Sequence, residues 1–391
     1  MTSKIIYQKR LILVLSVTIL FIFSLSFAQN QGLGKRIIIF KEPFKDMKGQ
    51  QELIKLSGGD VVKSLPIVNG VAVNVSASVE RKIKSAKEVL RVDYDAEVYA
   101  LGKPDQSQGK GGKPKPQPQQ VLPWGVNRID AEYAWLHNIK GSGVKVAVLD
   151  TGIDYTHPDL MNNCKGGINL VNPRKDYKDD NGHGSFVAGI IAGEDNDIGI
   201  VGVAPEAWLY GVKVLGASGS GYVSDIIDGI SWSIENGMDI INMSLGSDDD
   251  IQSLHDTCDT AASLGIYLVA AAGNDGGAVD YPGAYDSVIA VAATNNKDIR
   301  PSWSSYGPEV DIAAPGVSVY SAWKNGGYKT ASGTSASAPH VAGTLALNLQ
   351  ANIFSCADDL PPAGWDIYTG YGLVDAGESA TGIRDYGNDL P

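Results

Sequence analysis

The chain has 391 residues, of which 43% are apolar and 19% charged, enough for more than one globular domain with a substantial core. Residues 121–391 carry 34 acidic against 13 basic side chains, whereas residues 1–120 are basic overall. So acidic a region repels nucleic acid, which argues against a nucleic-acid-binding protein. The three cysteines can form at most one disulfide and lack metal-ligand spacing, which excludes a disulfide-stapled scaffold.

Residues 1–28 have the pattern of a secretory signal peptide. Three basic residues precede an apolar stretch at 11–25, and the segment from Ser26 to Ala28 is a small-x-small cleavage site. The apolar stretch is long enough that an N-terminal membrane anchor is the alternative interpretation. We expect the mature protein to be secreted and soluble.

Residues 29–101 have the pattern of a small α+β domain. The order strand, helix, strand, strand, helix, strand predicts a ferredoxin-like sandwich. The predicted strands are Arg36–Phe40, Asp60–Leu65, Gly70–Val75 and Val89–Leu101, and the predicted helices are Met47–Leu56 and Val79–Ser85. Residues 102–120, rich in Gly, Pro, Gln and Lys, contain too little apolar surface to fold and are predicted to be a flexible linker.

Residues 121–391 are predicted to form an α/β domain with a mostly parallel sheet covered by helices on both faces. Almost continuously apolar strands alternate with helical stretches, which is typical of strands buried on both faces. The predicted strands are Val144–Leu149, Gly167–Val171, Trp208–Leu215, Met238–Leu245, Tyr267–Ala272 and Val288–Ala293. The predicted helices are His183–Ala192, Val223–Glu235, Gln252–Leu264 and Val341–Leu349. In such sheets the chemistry lies at the carboxyl ends of the strands.

Four polar residues stand where these strands end or these helices begin. Asp150 and Asn274 follow predicted strands, and His183 and Ser335 lie in Gly-rich turns before apolar helices. Each alone has a simpler interpretation, as a turn residue, a structural histidine or a helix cap. Together they give the groups for nucleophilic attack on a carbonyl: a serine, a histidine base, an acid that orients it, and an amide donor for the oxyanion.

The segments around these residues closely resemble the motifs of the subtilisin-like serine proteases, the subtilases. The matching segments are Val148–Asp154, Gly182–Ser185, Asn242–Gly246 and Gly333–Ser335. The resemblance covers about residues 120–376, and the region before it resembles the family's inhibitory propeptide. It implies that Ser335 is the nucleophile, that His183 is the general base and then acid, and that Asp150 orients and stabilises the imidazolium.

The resemblance also implies a groove for an extended peptide. Asn274 and the Ser335 amide would hold the oxyanion, and the substrate would add as a strand between two segments, with a third forming one wall of the pocket for the side chain before the scissile bond. These segments are Gly219-Ser220-Gly221, Ser244-Leu245-Gly246 and Ala271-Ala272-Gly273. Asp280 falls at the base of that pocket, where an acid would favour Lys or Arg in the substrate.

The chain departs from the family pattern beside two of the catalytic residues. Ala336 follows the nucleophile where the family usually has Met, so peroxide is expected to inactivate this enzyme less readily. Ser185 and Phe186 stand where the family usually has Thr-His, a packing change that leaves the triad intact.

The resemblance implies calcium as a structural cofactor. The tight site would use the side chains of Gln120, Asp159 and Asn196 and the backbone carbonyls of Glu194, Ile198 and Ile200, an oxygen-only set that suits Ca²⁺. A solvated acidic loop is the alternative interpretation. A second, weaker cation site would use Glu309 and Asp311 with the carbonyls of Gly283, Tyr285 and Val288.

The propeptide resemblance implies that residues 29–101 assist folding of the catalytic domain and then inhibit it. Their positive charge complements the acidic domain, and residues 95–101 would lie in the groove as a product-like strand. Cleavage is expected after Leu101. Because Leu fits poorly beside an acidic pocket base, cleavage within the linker, for instance after Lys103, is the alternative.

The sequence therefore predicts a secreted, monomeric serine endopeptidase precursor that hydrolyses proteins and peptides and processes itself. A catalytically inactive subtilase fold acting as a binding module would need a broken triad, and none of the four catalytic residues is substituted. A purely structural secreted protein would have no reason to carry these motifs in order. A membrane-anchored protease would differ only in the fate of residues 11–25.

Overall fold

The computed structural model describes residues 33–104 and 117–384, which form two compact units that divide between Tyr94 and Asp95. The predicted signal peptide and most of the predicted linker lie outside the described residues. Within the described ranges, no helix is both long enough and apolar enough to cross a membrane.

The first unit is a four-stranded antiparallel sheet with two helices. Its elements are β1 (Gly34–Phe40), α1 (Met47–Ser57), β2 (Asp60–Leu65), a 3-10 turn (Pro66–Val68), β3 (Gly70–Val75), α2 (Ala77–Lys84) and β4 (Val89–Tyr94). The strand order is β2-β3-β1-β4, as the ferredoxin-like prediction requires. Ile38, Val71 and Val73 from the sheet pack with Ile54 of α1 and Ile83 of α2, so that the alternate residues of the strands form the core.

The second unit begins with two short strands, β5 (Glu97–Ala100) and β6 (Lys103–Pro104). The prediction of one extended segment from Val89 to Leu101 was wrong, because β4 and β5 belong to different sheets. At the break, the buried carboxylate of Asp95 accepts hydrogen bonds from the amide of Ser224 at 2.8 Å and from its hydroxyl at 2.9 Å. The partner is 129 residues away, so local strand propensity does not reveal the break.

The rest of the second unit is an α/β layer structure. Its elements in chain order are α3 (Trp124–Arg128), α4 (Ala131–Leu136), β7 (Lys145–Asp150), β8 (Cys164–Asn169), α5 (His183–Ala192), β9 (Trp208–Lys213), β10 (Ser220–Tyr222), α6 (Val223–Glu235), β11 (Ile240–Met243), β12 (Leu245–Gly246), α7 (Gln252–Ser263), β13 (Tyr267–Ala271), β14 (Ile289–Thr294), β15 (Val310–Pro315), β16 (Val319–Trp323), β17 (Gly327–Ser332), α8 (Thr334–Leu347) and α9 (Ala376–Thr381).

Seven of these strands form one parallel sheet in the order β15-β14-β13-β11-β7-β9-β8. This confirms the predicted α/β class. Residues 146–149 of β7, next to the centre, are fully buried, as expected for a strand covered on both faces. The edge strand β15 and the antiparallel hairpin of β16 and β17 were not predicted, because their sequences are short and mix polar with small residues.

Helix α8 is buried along its whole length. It begins at Thr334, seven residues before the predicted start at Val341, and it continues through Pro339. Proline has no amide hydrogen, so the carbonyl of Ser335, four residues earlier, lacks its helical donor. That carbonyl accepts a hydrogen bond from Ser244 Oγ at 3.0 Å instead. Ser244, between β11 and β12, therefore supplies the donor that the proline removes.

Candidate active site

Asp150, His183 and Ser335 lie at the carboxyl end of the parallel sheet. Asp150 is the last residue of β7, His183 the first of α5 and Ser335 the second of α8. His183 Nδ1 is 2.9 Å from both carboxylate oxygens of Asp150, and all three residues are buried. Gly102 lies against the side chains of Ser335 and His183. A Cβ added to Gly102 would clash with Ser335 Oγ and lie 3.1 Å from His183 Nε2.

The environment of His183 sets its proton affinity. Burial by itself lowers the pKa of His183, but the charge of Asp150 and its hydrogen bond, with the charge of Asp179, outweigh burial and raise that pKa above its ordinary value. Nε2, the ring nitrogen turned away from Asp150, is buried and has no hydrogen-bond partner among the described residues. A general base needs this arrangement, with one nitrogen held by an acid and the other available for a proton.

Asp179 positions the histidine loop and was missed by the sequence analysis. Its carboxylate, 4% exposed, accepts hydrogen bonds from the amides of Asn181, Gly182 and Ser185 at 2.7–3.0 Å and from the hydroxyls of Thr151 and Ser185 at 2.9 and 2.7 Å. It therefore joins the residue after Asp150 to the turn that holds His183. The sequence signal was an acid just before an Asn-Gly turn, but the link to Thr151 could not be read from it.

The carbonyl oxygen of Leu101 accepts hydrogen bonds from two donors beside Ser335. It accepts hydrogen bonds from Asn274 Nδ2 at 2.7 Å and from the Ser335 amide at 3.2 Å. The amide group of Asn274 is oriented by Thr334, whose backbone amide and hydroxyl donate to Asn274 Oδ1 at 2.9 and 3.0 Å. Donors fixed before the reaction can stabilise negative charge that develops on a carbonyl oxygen. Thr334 was not singled out in the sequence.

Strand β5 lies between the two segments that the sequence analysis assigned to the groove. It pairs antiparallel with β10 through Ser220, Gly221 and Tyr222, and with β12 through Leu245 and Gly246. The amide of Ala100 donates to the Gly219 carbonyl at 2.9 Å, and the amide of Leu101 donates to the Ser244 carbonyl at 3.1 Å. The structure thus brings all six predicted groove residues around one extended segment of the chain itself.

Beyond Gly102 the chain also pairs with a strand. β6 joins β17 antiparallel, with Lys103 opposite Ser332 and Pro104 opposite Ala331. The segments before and after the Leu101–Gly102 peptide bond, β5 and β6, are therefore both held by main-chain hydrogen bonds. The peptide bond itself lies next to Ser335.

The wall and base of a pocket lie next to the Leu101 side chain. A Cβ added to Gly246 would be 2.8 Å from both Leu101 Cδ1 and Asp280 Cβ, and one added to Gly273 would be 2.9 Å from Asp280 Cγ. The amide of Asp280 donates to the carbonyl of Ala272, the residue after β13. Ala271 and Ala272 are fully buried. The predicted wall and the predicted acidic base therefore lie together.

Asp280 is 8% exposed, and burial together with the nearby charges of Asp248 and Asp275 raises its pKa to about 7. The carboxyl group of Asp280 therefore titrates much nearer to neutral pH than that of an exposed aspartate.

The residues of the predicted tight calcium site lie in one loop region. Gln120 Oε1 accepts hydrogen bonds from the amides of Asn196 and Asp197, and Asp159 Oδ2 accepts one from the amide of Ile200 at 2.9 Å. The other carboxylate oxygen, Asp159 Oδ1, is buried and has no partner among the described residues. A buried carboxylate oxygen without a hydrogen-bond partner is available to coordinate a cation, so this donor set fits Ca²⁺.

One neighbouring predicted ligand, Glu194, has other contacts. The side chain of Glu194 accepts from the backbone and side-chain amides of Asn162, so only its carbonyl is left for a metal, as predicted. In the described ranges no group of three His, Cys, Asp or Glu side chains is placed to hold a metal ion. A site made from one carboxylate, two amides and carbonyls would not include such a group.

The predicted weaker cation site has less support. Asp311 accepts a hydrogen bond from the amide of Ala290 at 2.8 Å, and burial, with the charge of Asp286, raises its pKa to about 6. Glu309 is exposed, and the carbonyl of Tyr285 accepts from the Val288 amide. This site stays a prediction.

Comparisons with known proteins agree with this geometry. The profile of the subtilase family, peptidase S8, matches residues 141–358. Minor extracellular protease Epr of Bacillus subtilis (strain 168) is 38% identical to this chain over 386 residues, covering 94% of the chain but only 58% of Epr. Subtilisin NAT of Bacillus subtilis subsp. natto is 40% identical over 353 residues, 86% of the chain and 87% of that protein. Subtilisin Savinase of Lederbergia lenta is 50% identical over 234 residues, 60% and 86% of the two chains.

Proposed function

We propose, since this chain belongs to the subtilase family and is a serine endopeptidase, that it is made as an exported precursor that cleaves itself between Leu101 and Gly102. The observation that carries the proposal is the position of the Leu101 carbonyl, whose oxygen is bound by Asn274 Nδ2 and the Ser335 amide. A peptide bond in that position is presented to Ser335 as a substrate.

The first half of the proposed reaction forms an acyl-enzyme. Ser335 Oγ attacks the carbonyl carbon of Leu101 while His183 Nε2 takes the hydroxyl proton. Asp150 stabilises the imidazolium, and the two oxyanion donors hold the tetrahedral oxygen. His183 then gives its proton to the nitrogen of Gly102, the C–N bond breaks, and Leu101 remains esterified to Ser335.

The second half regenerates the enzyme. His183 takes a proton from water, the resulting nucleophile attacks the ester, and the bond to Ser335 Oγ breaks as His183 returns the proton to that oxygen. The new Leu101 carboxylate is the product. Peptide and protein substrates would follow the same steps after pairing with β10 and β12 in the place of β5.

Residues 29–101 would be the propeptide of this precursor. β5 would stay paired with β10 and β12 after cleavage, because those hydrogen bonds do not involve the broken bond, and it would block the groove as a bound product. The excess of basic residues in 29–101 complements the acidic region after residue 120. The match to subtilisin NAT supports this reading, since it covers 86% of the chain and so extends ahead of the α/β domain.

Export would depend on residues 1–28, removed as a signal peptide. We also propose a structural Ca²⁺ held by the side chains of Gln120, Asp159 and Asn196 and by the carbonyls of Glu194, Ile198 and Ile200. Bound there, the ion would neutralise the buried Asp159 carboxylate. It would also strengthen the attachment of Gln120, the last residue of the predicted linker, to the loop before Ile200.

The proposal is tested by expressing the precursor as wild type and as Ser335→Ala and following its mass. We expect the wild type to lose the residues up to Leu101 and the alanine variant to keep them. The new N-terminus decides between cleavage after Leu101 and after Lys103. If purified wild type and variant both stay whole and neither hydrolyses casein, the alternative of an inactive binding module is favoured.

A further inference from the structure

The pocket beside Leu101 contains two features that conflict. An acid at its base suits a cationic side chain, whereas the residue that the chain presents there is leucine. Leu101 Cδ1 and Asp280 Cβ face the same point above Gly246, so the aliphatic side chain and the acid share one small space.

The carboxyl group of Asp280 lies close to two glycines that border that space. Gly246 and Gly273 each approach it so closely that a Cβ at either position would lie 2.9 Å from Asp280 Oδ2. The charged groups that act on it are Asp248, after β12, and Asp275, after β13, and both are acidic. None of these neighbours offers a positive charge, so a cation would have to come from a ligand in the pocket.

The protonation state of Asp280 then decides which side chain fits. A carboxylate enclosed beside leucine has lost water and gained no partner, which is costly, whereas a neutral carboxyl beside leucine is tolerated. A lysine or arginine reverses the preference, since it pairs with the carboxylate and would itself be left unpaired beside the neutral acid. The two forms of Asp280 therefore favour different substrates.

We propose that Asp280 makes the substrate preference of this enzyme depend on its own proton: the protonated pocket accepts aliphatic side chains such as that of Leu101, and the ionised pocket accepts Lys or Arg. The inference rests on the proposed function, because it requires an active endopeptidase. It removes the conflict between the leucine at the processing site and the acid in the pocket, since each belongs to a different state of Asp280.

The proposal predicts that maturation and the cleavage of basic substrates are favoured at different pH values. Cleavage after Leu101 is favoured on the acid side of neutrality, within the limit set by His183, which must be unprotonated. On the alkaline side the mature enzyme favours cleavage after basic residues. In alkaline medium the mature enzyme therefore prefers Lys or Arg before the scissile bond, whereas the bond that it cleaved in its own chain follows Leu101.

The test uses the mature enzyme and two peptides that differ only in having Leu or Lys before the scissile bond. The ratio of their kcat/KM values is measured from about pH 5.5 to about pH 9, a range in which the substrate lysine stays charged. Titration of His183 affects both substrates equally and cancels in the ratio. We expect the preference for Lys over Leu to rise about tenfold between about pH 6 and about pH 8, with its midpoint near the pKa of Asp280.

Asp280→Asn should make the ratio independent of pH and keep it in favour of Leu. Asp248→Asn is the matched control, since it keeps Asp280 and removes one of the charges that raise its pKa. The midpoint of the ratio should therefore move to lower pH. If Asp280→Asn does not mature, Asp280→Ser gives the same comparison with a smaller neutral side chain.

A wild-type ratio that does not change with pH, or the same change in the asparagine variant, would overturn the inference while leaving the endopeptidase intact. Failure of the proposed function is a different result, because then the wild-type precursor keeps the residues up to Leu101 and no mature enzyme is obtained.

Discussion

The imidazole of His183 is controlled by two acids with different tasks. Asp150 contacts the ring and raises its pKa, whereas Asp179 holds the backbone of the loop that carries it. The catalytic geometry therefore depends on a residue that touches neither the substrate nor the serine.

Asp150→Asn should lower kcat/KM by about 10⁴, as expected when the group that fixes the histidine tautomer is lost. The pH profile should change as well. Activity falls as pH drops through the pKa of His183, because the imidazolium cannot accept a proton. Without the Asp150 charge that pKa is lower, so the acid limb should shift to lower pH. A rate loss with an unmoved acid limb would mean that Asp150 has only a structural role.

Ala336 follows the nucleophile directly and is 1% exposed. Ala336→Met should place an oxidisable thioether beside Ser335, so hydrogen peroxide should inactivate the variant several-fold faster than the wild type. Residual activity against a peptide substrate after timed exposure measures this, and mass spectrometry shows whether the introduced methionine has gained oxygen. Equal inactivation rates would place the sensitive group elsewhere.

The predicted triad residues could be recognised from sequence because each lies in a short motif of consecutive residues. Asp179, Thr334 and the hydroxyl of Ser244 could not, since each also binds a residue 28 to 91 positions away along the chain. A hydrogen bond between distant segments leaves no local pattern. The residues that react were thus easier to find than the residues that position them.

At the scale of elements, helix α8 combines two functions at one end. Its first turn contributes the Ser335 side chain and amide to the site, and the proline further along removes a donor from that same turn. Ser244 compensates from the neighbouring segment that also pairs with Leu101. The helix and the groove strand are therefore coupled through one hydroxyl.

Ser244→Ala should destabilise the protein by about 1–3 kcal/mol, because it leaves the buried Ser335 carbonyl without a donor. Pro339→Ala restores an amide hydrogen four residues after Ser335, so the double variant should lose less than the sum of the two single losses. Urea unfolding of all four proteins in the inactive Ser335→Ala background measures the coupling without self-digestion. Strictly additive losses would mean that the hydroxyl does not replace the missing amide.

Most element boundaries were predictable within a few residues, because the strands are apolar runs and the helices α5 and α6 have clear starts. The exceptions share a physical cause. β5 acquires its partners, β10 and β12, from distant parts of the chain, and the donor that Pro339 removes from α8 is replaced by Ser244. Where tertiary contacts decide the local structure, local propensity gives the wrong limits.

At the scale of the whole molecule, the proposed calcium site joins the segment at Gln120 to the loop ending at Ile200. Three backbone hydrogen bonds already connect these parts: the amides of Gln120 and Val121 donate to the carbonyls of Asp197 at 3.0 Å and Gly199 at 2.9 Å, and the amide of Gly199 donates to the carbonyl of Pro118 at 2.8 Å. A calcium ion at Asp159 would therefore strengthen a contact that backbone hydrogen bonds already make.

Removing calcium with a chelator should lower the unfolding temperature of the mature protein in the inactive Ser335→Ala background, purified after cleavage in trans. An ion at about a hundredfold excess over its Kd stabilises by about 3 kcal/mol. Asp159→Asn should unfold at a lower temperature and lose the dependence on calcium. Asp197→Asn, an exposed neighbour in the same loop, is the control and should keep it. Equal sensitivity in both variants would argue against the proposed ligands.

The strands on either side of the Leu101–Gly102 bond have a kinetic consequence. If this bond is the processing site, each molecule holds it at its own serine, so maturation should be first order, with a half-life that does not change when the precursor is diluted. Activity against an added peptide should appear only after a lag, since the freed segment must first dissociate. The first mature molecules can shorten that lag for the others by digesting released segments. In a very dilute sample, self-cleavage would then keep the same half-life, whereas the lag before hydrolysis of an added peptide would be longest.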